Sequence, residues 1–168
     1  MLLIRKGKRS LLAVAMISAL FLGQSHAGAE SPIPVSRGQT IYVPAYSHIY
    51  SGDKEIPFYL AVTLSIRNTD PDHPISIRSA DYFDSKGSRL QSYVNDPSTL
   101  GPMATMRIVV KESDKAGGSG ANFLVTWESD VKVTPPIIES VMIGTQTQQG
   151  ISFTSRGRVI RERSAPED

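Results

Sequence analysis

The sequence predicts an all-β fold, an antiparallel β-sandwich of immunoglobulin-like type with about eight strands. Three observations predict it. Phe58–Arg67 (FYLAVTLSIR) places Phe58, Leu60, Val62, Leu64 and Ile66 at every second position, with Tyr59, Ala61, Thr63, Ser65 and Arg67 between them. That is the period of a strand with one face in a core and the other nearer water. Short runs of similar kind recur down the chain between clusters of Gly, Pro, Asn, Asp and Ser, the chemistry of turns. No stretch after the first thirty residues carries an amphipathic helical pattern, which would repeat every 3.6 residues. A small barrel is the alternative way of closing such strands.

The chain opens with a segment that reads as an export signal. Arg5, Lys6, Lys8 and Arg9 precede the uncharged run Leu11–Leu22 (LLAVAMISALFL). The run is too short to span a bilayer, which takes about 20 residues, and suits a signal h-region. Ser25-His26-Ala27 and Ala27-Gly28-Ala29 are small-x-small cleavage sites, so residues 1–29 are expected to be removed, with no membrane span left afterwards. An uncleaved anchor is the competing reading. Glu30–Gly38 has two prolines and no periodicity, and reads as a linker. The sandwich domain is expected over residues 39–160, with 161–168 a flexible tail.

Thr40–Tyr50 (TIYVPAYSHIY) reads as the first strand region, with Ile41, Val43, Ala45 and Ile49 on one parity and Tyr42, Pro44, Tyr46, His48 and Tyr50 on the other. Pro44 cannot donate to a ladder, which points to an edge or a bulge. Ser51-Gly52-Asp53-Lys54 is a turn, Phe58–Arg67 follows, and Asn68–Pro74 ends it with Asn, Asp and Pro. A third strand runs from Ile75 to about Phe83; its parity slips, which predicts a bulge near Ser79. Asp84-Ser85-Lys86-Gly87 is a hairpin turn with Gly87 free to take positive φ, and Arg89–Val94 returns. Thr105–Lys111 holds Met106, Ile108 and Val110 on one face. Glu112–Gly120 reads as a flexible loop. Ala121–Trp127 aligns Phe123, Val125 and Trp127, with Trp127 suited to fill the core centre. After Thr134-Pro135-Pro136, Ile137–Gln146 and Ile151–Ile160 form a last pair around Gln149-Gly150.

Removing the export segment changes the charge. All eighteen Lys and Arg against sixteen Asp and Glu make +2, whereas the processed chain has fourteen basic and sixteen acidic side chains, a formal charge of −2. No Lys/Arg block remains to follow a phosphate backbone, so nucleic acid is not an expected partner. There is no cysteine, which excludes disulfides, thiolate metal sites, a Cys nucleophile and lipid attachment at a lipobox. Stability must come from burial, and one domain of this size buries about 68–70% of its unfolded surface.

Several segments together resemble a known family. They are Tyr42–Tyr50 (YVPAYSHIY), Leu64–Asp70 (LSIRNTD), Gly117–Phe123 (GGSGANF), Val141–Gly144 (VMIG), Gln149–Phe153 (QGISF) and Ser155-Arg156-Gly157. The family comprises small exported bacterial proteins classed only as a domain of unknown function, and the likeness covers nearly all of Gly38–Ile160. The resemblance implies an exported, compact domain and no activity, so no catalytic role is carried over.

Three surfaces are candidates for function. The even parity of the opening strand makes an outward aromatic row, Tyr42, Tyr46, His48 and Tyr50, of the kind that suits sugar rings or a protein partner; the plainer reading packs these rings under rim loops. The loop Gly117–Asn122 could turn successive amides toward an anion, but no helix or lysine stands behind it as in a phosphate loop, and a mobile hairpin loop is the simpler account. The polar run Thr145–Ser155 could bring Gln146, Gln148, Ser152, Thr154 and Arg156 to one hydrogen-bonding face, or only a solvated outer face.

Acid and metal chemistry has thinner support. Asp70, Asp72 and His73 lie together on a turn where such side chains commonly satisfy backbone amides. Asp53 and Glu55 could join an oxygen-rich Ca²⁺ site, and Asp81 and Asp84 flank an aromatic pair. There is no GxSxG elbow, EF-hand or HExxH motif. The expectation is a non-enzymatic periplasmic or secreted binding or accessory module, without a cofactor. Its expected partner is an envelope protein or a polymeric ligand. Tyr42, Tyr46, His48 and Tyr50 would make contact, with Gln146 and Arg156 as polar support. The alternatives are an envelope hydrolase or metal-dependent enzyme using His48 and nearby acids, and a structural domain that self-associates through the Pro44 edge.

Overall fold

The computed structural model describes residues 34–145 and 150–163, all within one compact unit, Ile33–Asp168. The described residues are all-β and contain no helix. Twelve strands form: β1 Ser36–Pro44, β2 His48–Ser51, β3 Ile56–Tyr59, β4 Ala61–Arg67, β5 Ile75–Phe83, β6 Arg89–Ser92, β7 Ser98–Leu100, β8 Thr105–Val110, β9 Asn122–Val133, β10 Ile137–Gly144, β11 Ile151–Arg156 and β12 Arg158–Glu162. They make two open antiparallel layers. One is six-stranded, in the order β12-β1-β9-β5-β6 with β7 also on β5; the other is four-stranded, β11-β10-β4-β8. The hairpin β2-β3 belongs to neither. The sandwich is therefore as expected and the barrel is not formed. The strand number is higher because turns cut several expected strands in two.

The alternation that predicts the central strand is met in full. Phe58, Leu60, Val62, Leu64 and Ile66 are all buried, and they face Ile41, Val43, Val125, Trp127 and Ile77 of the other layer in one core. Trp127 is 1% exposed and fills the centre. Yet Phe58–Arg67 is two strands. The chain steps out of line at Leu60, whose N–H donates to the Ser47 carbonyl at 3.0 Å. β3 then pairs with β2, and β4 sits between β10 and β8.

The bulge predicted near Ser79 is present: the β5–β9 register jumps between Ile77 and Ser79. Gly87 takes φ 83° in the β5–β6 turn, where the Asp84 carboxylate accepts the amides of Lys86 and Ser88 at 2.8 Å. At the other pole, buried Asn68 donates to the carbonyls of His73 and Gly101 at 2.9 Å and accepts the Asp70 amide at 3.0 Å.

Four expectations are corrected. Thr40–Tyr50 is not one strand. After Pro44 the chain leaves the β1 ladder, and the amides of Ala45 and Ser47 bond to the Ala121 and Gly118 carbonyls. Nor is β1 an edge strand, for it lies between β12 and β9, although its ladder with β12 shifts register between Thr40 and Ile41 and ends before Pro44. Ala45 N–H points to the β9 side, so the donor that proline lacks would face the side β12 has vacated; β12 reaches no farther than Tyr42↔Arg158. The Pro44 carbonyl accepts the buried Ser140 hydroxyl instead. The third correction concerns both ends of the domain: Ser36–Gly38 and Arg161–Glu162, expected in linker and tail, are in strands. Fourth, Ile151–Ile160 is not a single partner of β10. The chain crosses from one layer to the other at Gly157, whose N–H donates to the Ile138 carbonyl at 2.8 Å. A side-chain β-carbon there would lie 2.6 Å from Ile41 Cγ2, so only glycine fits the crossover.

Candidate functional site

The β2-β3 hairpin closes one end of the sandwich. Its strands pair His48↔Tyr59, Ile49↔Phe58, Tyr50↔Pro57 and Ser51↔Ile56. Because side chains alternate along a strand, Ile49 and Phe58 point down onto the core while His48, Tyr50 and Tyr59 share the upper face. The His48 ring meets Tyr50 edge-on at 5.1 Å and Tyr59 at 5.9 Å, and its Nε2 is 3.2 Å from the Tyr50 hydroxyl. Its Nδ1 is buried without a hydrogen-bond partner among the described residues. Tyr50 is 53% exposed. Lys115 completes the cluster, with Nζ 4.1 Å from the Tyr59 ring centroid, within cation–π range. A shallow depression beside it is lined by Tyr59, Glu112, Ser113 and Lys115.

What holds the cluster is a buried knot beneath it. Ser47, fully buried, shares a 2.8 Å hydrogen bond with the Tyr82 hydroxyl. Gly117 lies against both: a β-carbon there would overlap the Tyr82 hydroxyl and stand 2.7 Å from Ser47 Oγ. The Gly117 carbonyl accepts the amide and hydroxyl of Ser85 at 3.0 Å, and Ser85 Oγ accepts the Gly120 amide at 2.9 Å. Gly118 takes φ 79° over Ser85. The glycine loop expected to be flexible is thus stapled down: its Gly117 and Gly118 carbonyls accept from Ser85 and Ser47, and its Gly120 amide donates to Ser85. Burial pushes the Tyr82 hydroxyl pKa up; the Ser47 hydrogen bond opposes this, and the Asp114 charge adds to it.

The structure separates most of the expected site residues. His48 and Tyr50 stand together on the hairpin. Tyr42 is on β1, half-exposed beside Leu124 and Arg158 of the neighbouring strands. Tyr46 is half-buried against the core, its ring edge-on to Phe153 at 5.7 Å. Arg156 is exposed on β11, in the opposite layer from Tyr42, across from Glu139. Ser152 and Thr154 are exposed on the same strand. Gln146 and Gln148 lie outside the described residues. Sequence reasoning missed Tyr59 and Lys115. Counting the register back from the Ser51–Lys54 turn would have found Tyr59 opposite His48; no local signal points to Lys115.

The acidic groups serve the fold. Asp70 Oδ1 accepts the amides of Asp72 and His73 and lies 3.1 Å from His73 Nδ1, and Oδ2 accepts the Thr134 amide. The Asp72 and Thr134 amides, with His73, hold this carboxyl well below the usual range, at about 2. The Ser88 amide lowers the Asp84 pKa in the same way. Among the described residues, no three His, Asp or Glu side chains converge as metal ligands would. Among the described residues, no carboxylate hydrogen-bonds to His48, and no serine hydroxyl to His73. No helix among the described residues is long and apolar enough to cross a membrane.

No curated protein matches the chain. A solved structure, described as the crystal structure of Thermotoga maritima 1070, is similar at 12% identity and a TM-score of 0.45, covering 76% of this chain and 97% of that one. The family described as "Protein of unknown function (DUF3124)" matches residues 38–160, which span every strand from β2 to β11 and the Gly117, Asn68 and Gly157 positions that shape them, and the chain belongs to it.

Proposed function

We propose that the processed protein is a non-enzymatic binding or accessory module of the cell envelope, and that its contact surface is the upper face of the β2-β3 hairpin. The observation that carries this reading is the grouping of His48, Tyr50, Tyr59 and Lys115 on a hairpin that belongs to neither sheet. The hairpin's lower face, Ile49 and Phe58, completes the core, whereas its upper face carries an aromatic cluster that lies outside the core. Aromatic rings with polar tips give contact area without burying an unpaired hydroxyl, and such residues dominate binding energy where they cluster. The partner class is an envelope protein or an envelope polymer. The export segment supports the location, and fractionation with N-terminal sequencing checks it: the exported form should begin at Gly28 or Glu30.

The test is a photo-crosslinking residue placed at Tyr50 in the living cell, followed by mass spectrometry. A single dominant adduct, lost when Tyr59→Ala is added while the melting temperature stays within a few degrees, is the expected result. No adduct, or one unchanged by Tyr59→Ala, overturns the reading. A large loss of stability in Tyr59→Ala alone would make the ring part of the core instead.

A further inference from the structure

The two long sides of the sandwich are built differently. On one side the crossover at Gly157 lets a single run of chain edge both layers, as β11 in one and β12 in the other. On the other side the chain passes from the short strand β7 of one layer to β8 of the other through a four-residue turn, 101–104. There β8 edges the four-stranded sheet, and a groove runs along it beneath the segment that follows β6. One part of the groove, about 440 Å³, is lined by Tyr93, Val94, Asp96, Met106 and Ile108; the next, about 320 Å³, by Gln91, Tyr93, Val110, Lys111 and Asp114.

β8 is a well-formed open edge. It pairs with β4 residue for residue, from Arg67↔Thr105 to Val62↔Val110, without a register break. It holds neither proline nor glycine. The other layer's edges are interrupted: β6 and β12 each carry a register shift against their neighbours. Alternate N–H and C=O groups of an edge strand are free to pair with an added strand.

The side chains say what kind of strand fits. Met106, Ile108 and Val110 form the inward row, with Ile108 and Val110 buried. The outward row is Thr105, Arg107, Val109 and Lys111: two exposed cations, no acid, and Val109 at 50% exposure. Neither Arg107 nor Lys111 is in an ion pair among the described residues. Two copies of this edge laid together would set cations beside cations, and like charges across strands repel, so a second copy is the wrong occupant. Asp96 and Asp114, which also line the groove, disfavour acids that point inward.

We propose that the β8 edge binds an extended segment of a partner polypeptide as a fifth strand, with acidic residues on its outward row and apolar residues on its inward row. The groove's far end shares Ser113 with the depression beside the hairpin cluster, but the β8 edge itself contains none of the cluster's residues, and failure of this proposal leaves that reading standing.

The test uses a labelled ten-residue peptide alternating Glu and Val, titrated against the processed protein by fluorescence anisotropy. Saturable binding is expected, with slowed amide exchange along Thr105–Val110. N-methylation of alternate peptide amides should abolish binding in one register and spare it in the other, because an edge-bound strand turns only every second amide to its partner. Arg107→Glu with Lys111→Glu, both at exposed positions, should weaken binding at least tenfold without moving the melting temperature. Tyr50→Ala with Tyr59→Ala should leave it unchanged. The proposal is overturned by any of four results: no saturable binding, equal binding of an alternating Lys–Val peptide, indifference to N-methylation in both registers, or a dimer in sedimentation that the peptide does not dissociate.

Discussion

Replacing Gly117 with alanine should strike the point where the hairpin is held to the sandwich. The added methyl would overlap the Tyr82 hydroxyl and meet Ser47 Oγ at 2.7 Å and Ala121 Cβ at 2.8 Å. Tyr82 is 1% exposed and Ser47 is fully buried, so neither side chain can swing into solvent. Overpacking of this kind costs about 1–3 kcal/mol. Separating the Ser47–Tyr82 hydroxyls leaves buried polar groups unpaired at about 1–3 kcal/mol more. The expected loss is therefore about 2–6 kcal/mol, a large part of the 5–15 kcal/mol typical of a domain.

The assay is urea unfolding of the processed chain, followed by the fluorescence of buried Trp127. Tyr82→Phe supplies the internal check. Alone it should cost about 1–2 kcal/mol, since Ser47 loses its partner. Combined with Gly117→Ala it removes the atom that the methyl strikes, so the double variant should be more stable than the sum of the single effects by about 1–2 kcal/mol, within the range for touching residues. Strict additivity, or a Gly117→Ala variant within about 0.5 kcal/mol of the parent, would refute the steric account.

Two further outcomes are expected. Asp70 titrates at about 2 in the folded protein, below the value of about 3.9 for a free aspartate. Its contribution to stability is thus complete above about pH 4 and is lost as the pH falls toward 2; Asp70→Asn should flatten the fall in urea midpoint across that window, leaving the smaller slope that Asp84 supplies. Leu64→Ala, at a fully buried position, should cost about 2–5 kcal/mol, while Thr63→Ala beside it on the outer face should cost under about 0.5–1 kcal/mol; equal losses would mean that the two faces of β4 are misassigned.

Some features were legible because their cause is local. The inward row from Phe58 to Ile66 follows from strict alternation, since one face of a strand must be apolar to be buried. The slip at Ser79 showed as a change of parity between Ile77 and Tyr82. Asn68 and Asp70 announced a turn because their short polar side chains can satisfy nearby amides. The aromatic row failed for a reason that is not local: Tyr42, Tyr46, His48 and Tyr50 share a parity only while the chain runs straight, and it turns out of the ladder after Pro44.

The all-β class, the inward row of the central strand and the turns at 68–74 and 84–87 can be read from the amino-acid order alone, because period and turn chemistry are written in neighbouring residues. Which strands are edges, where one run of chain serves two layers, and which rings gather on the hairpin emerge only from the folded arrangement. Those outcomes depend on contacts between residues far apart in the chain, such as Ser47 with Tyr82 and Tyr59 with Lys115. They are set by which backbone groups remain free to pair once the core has closed.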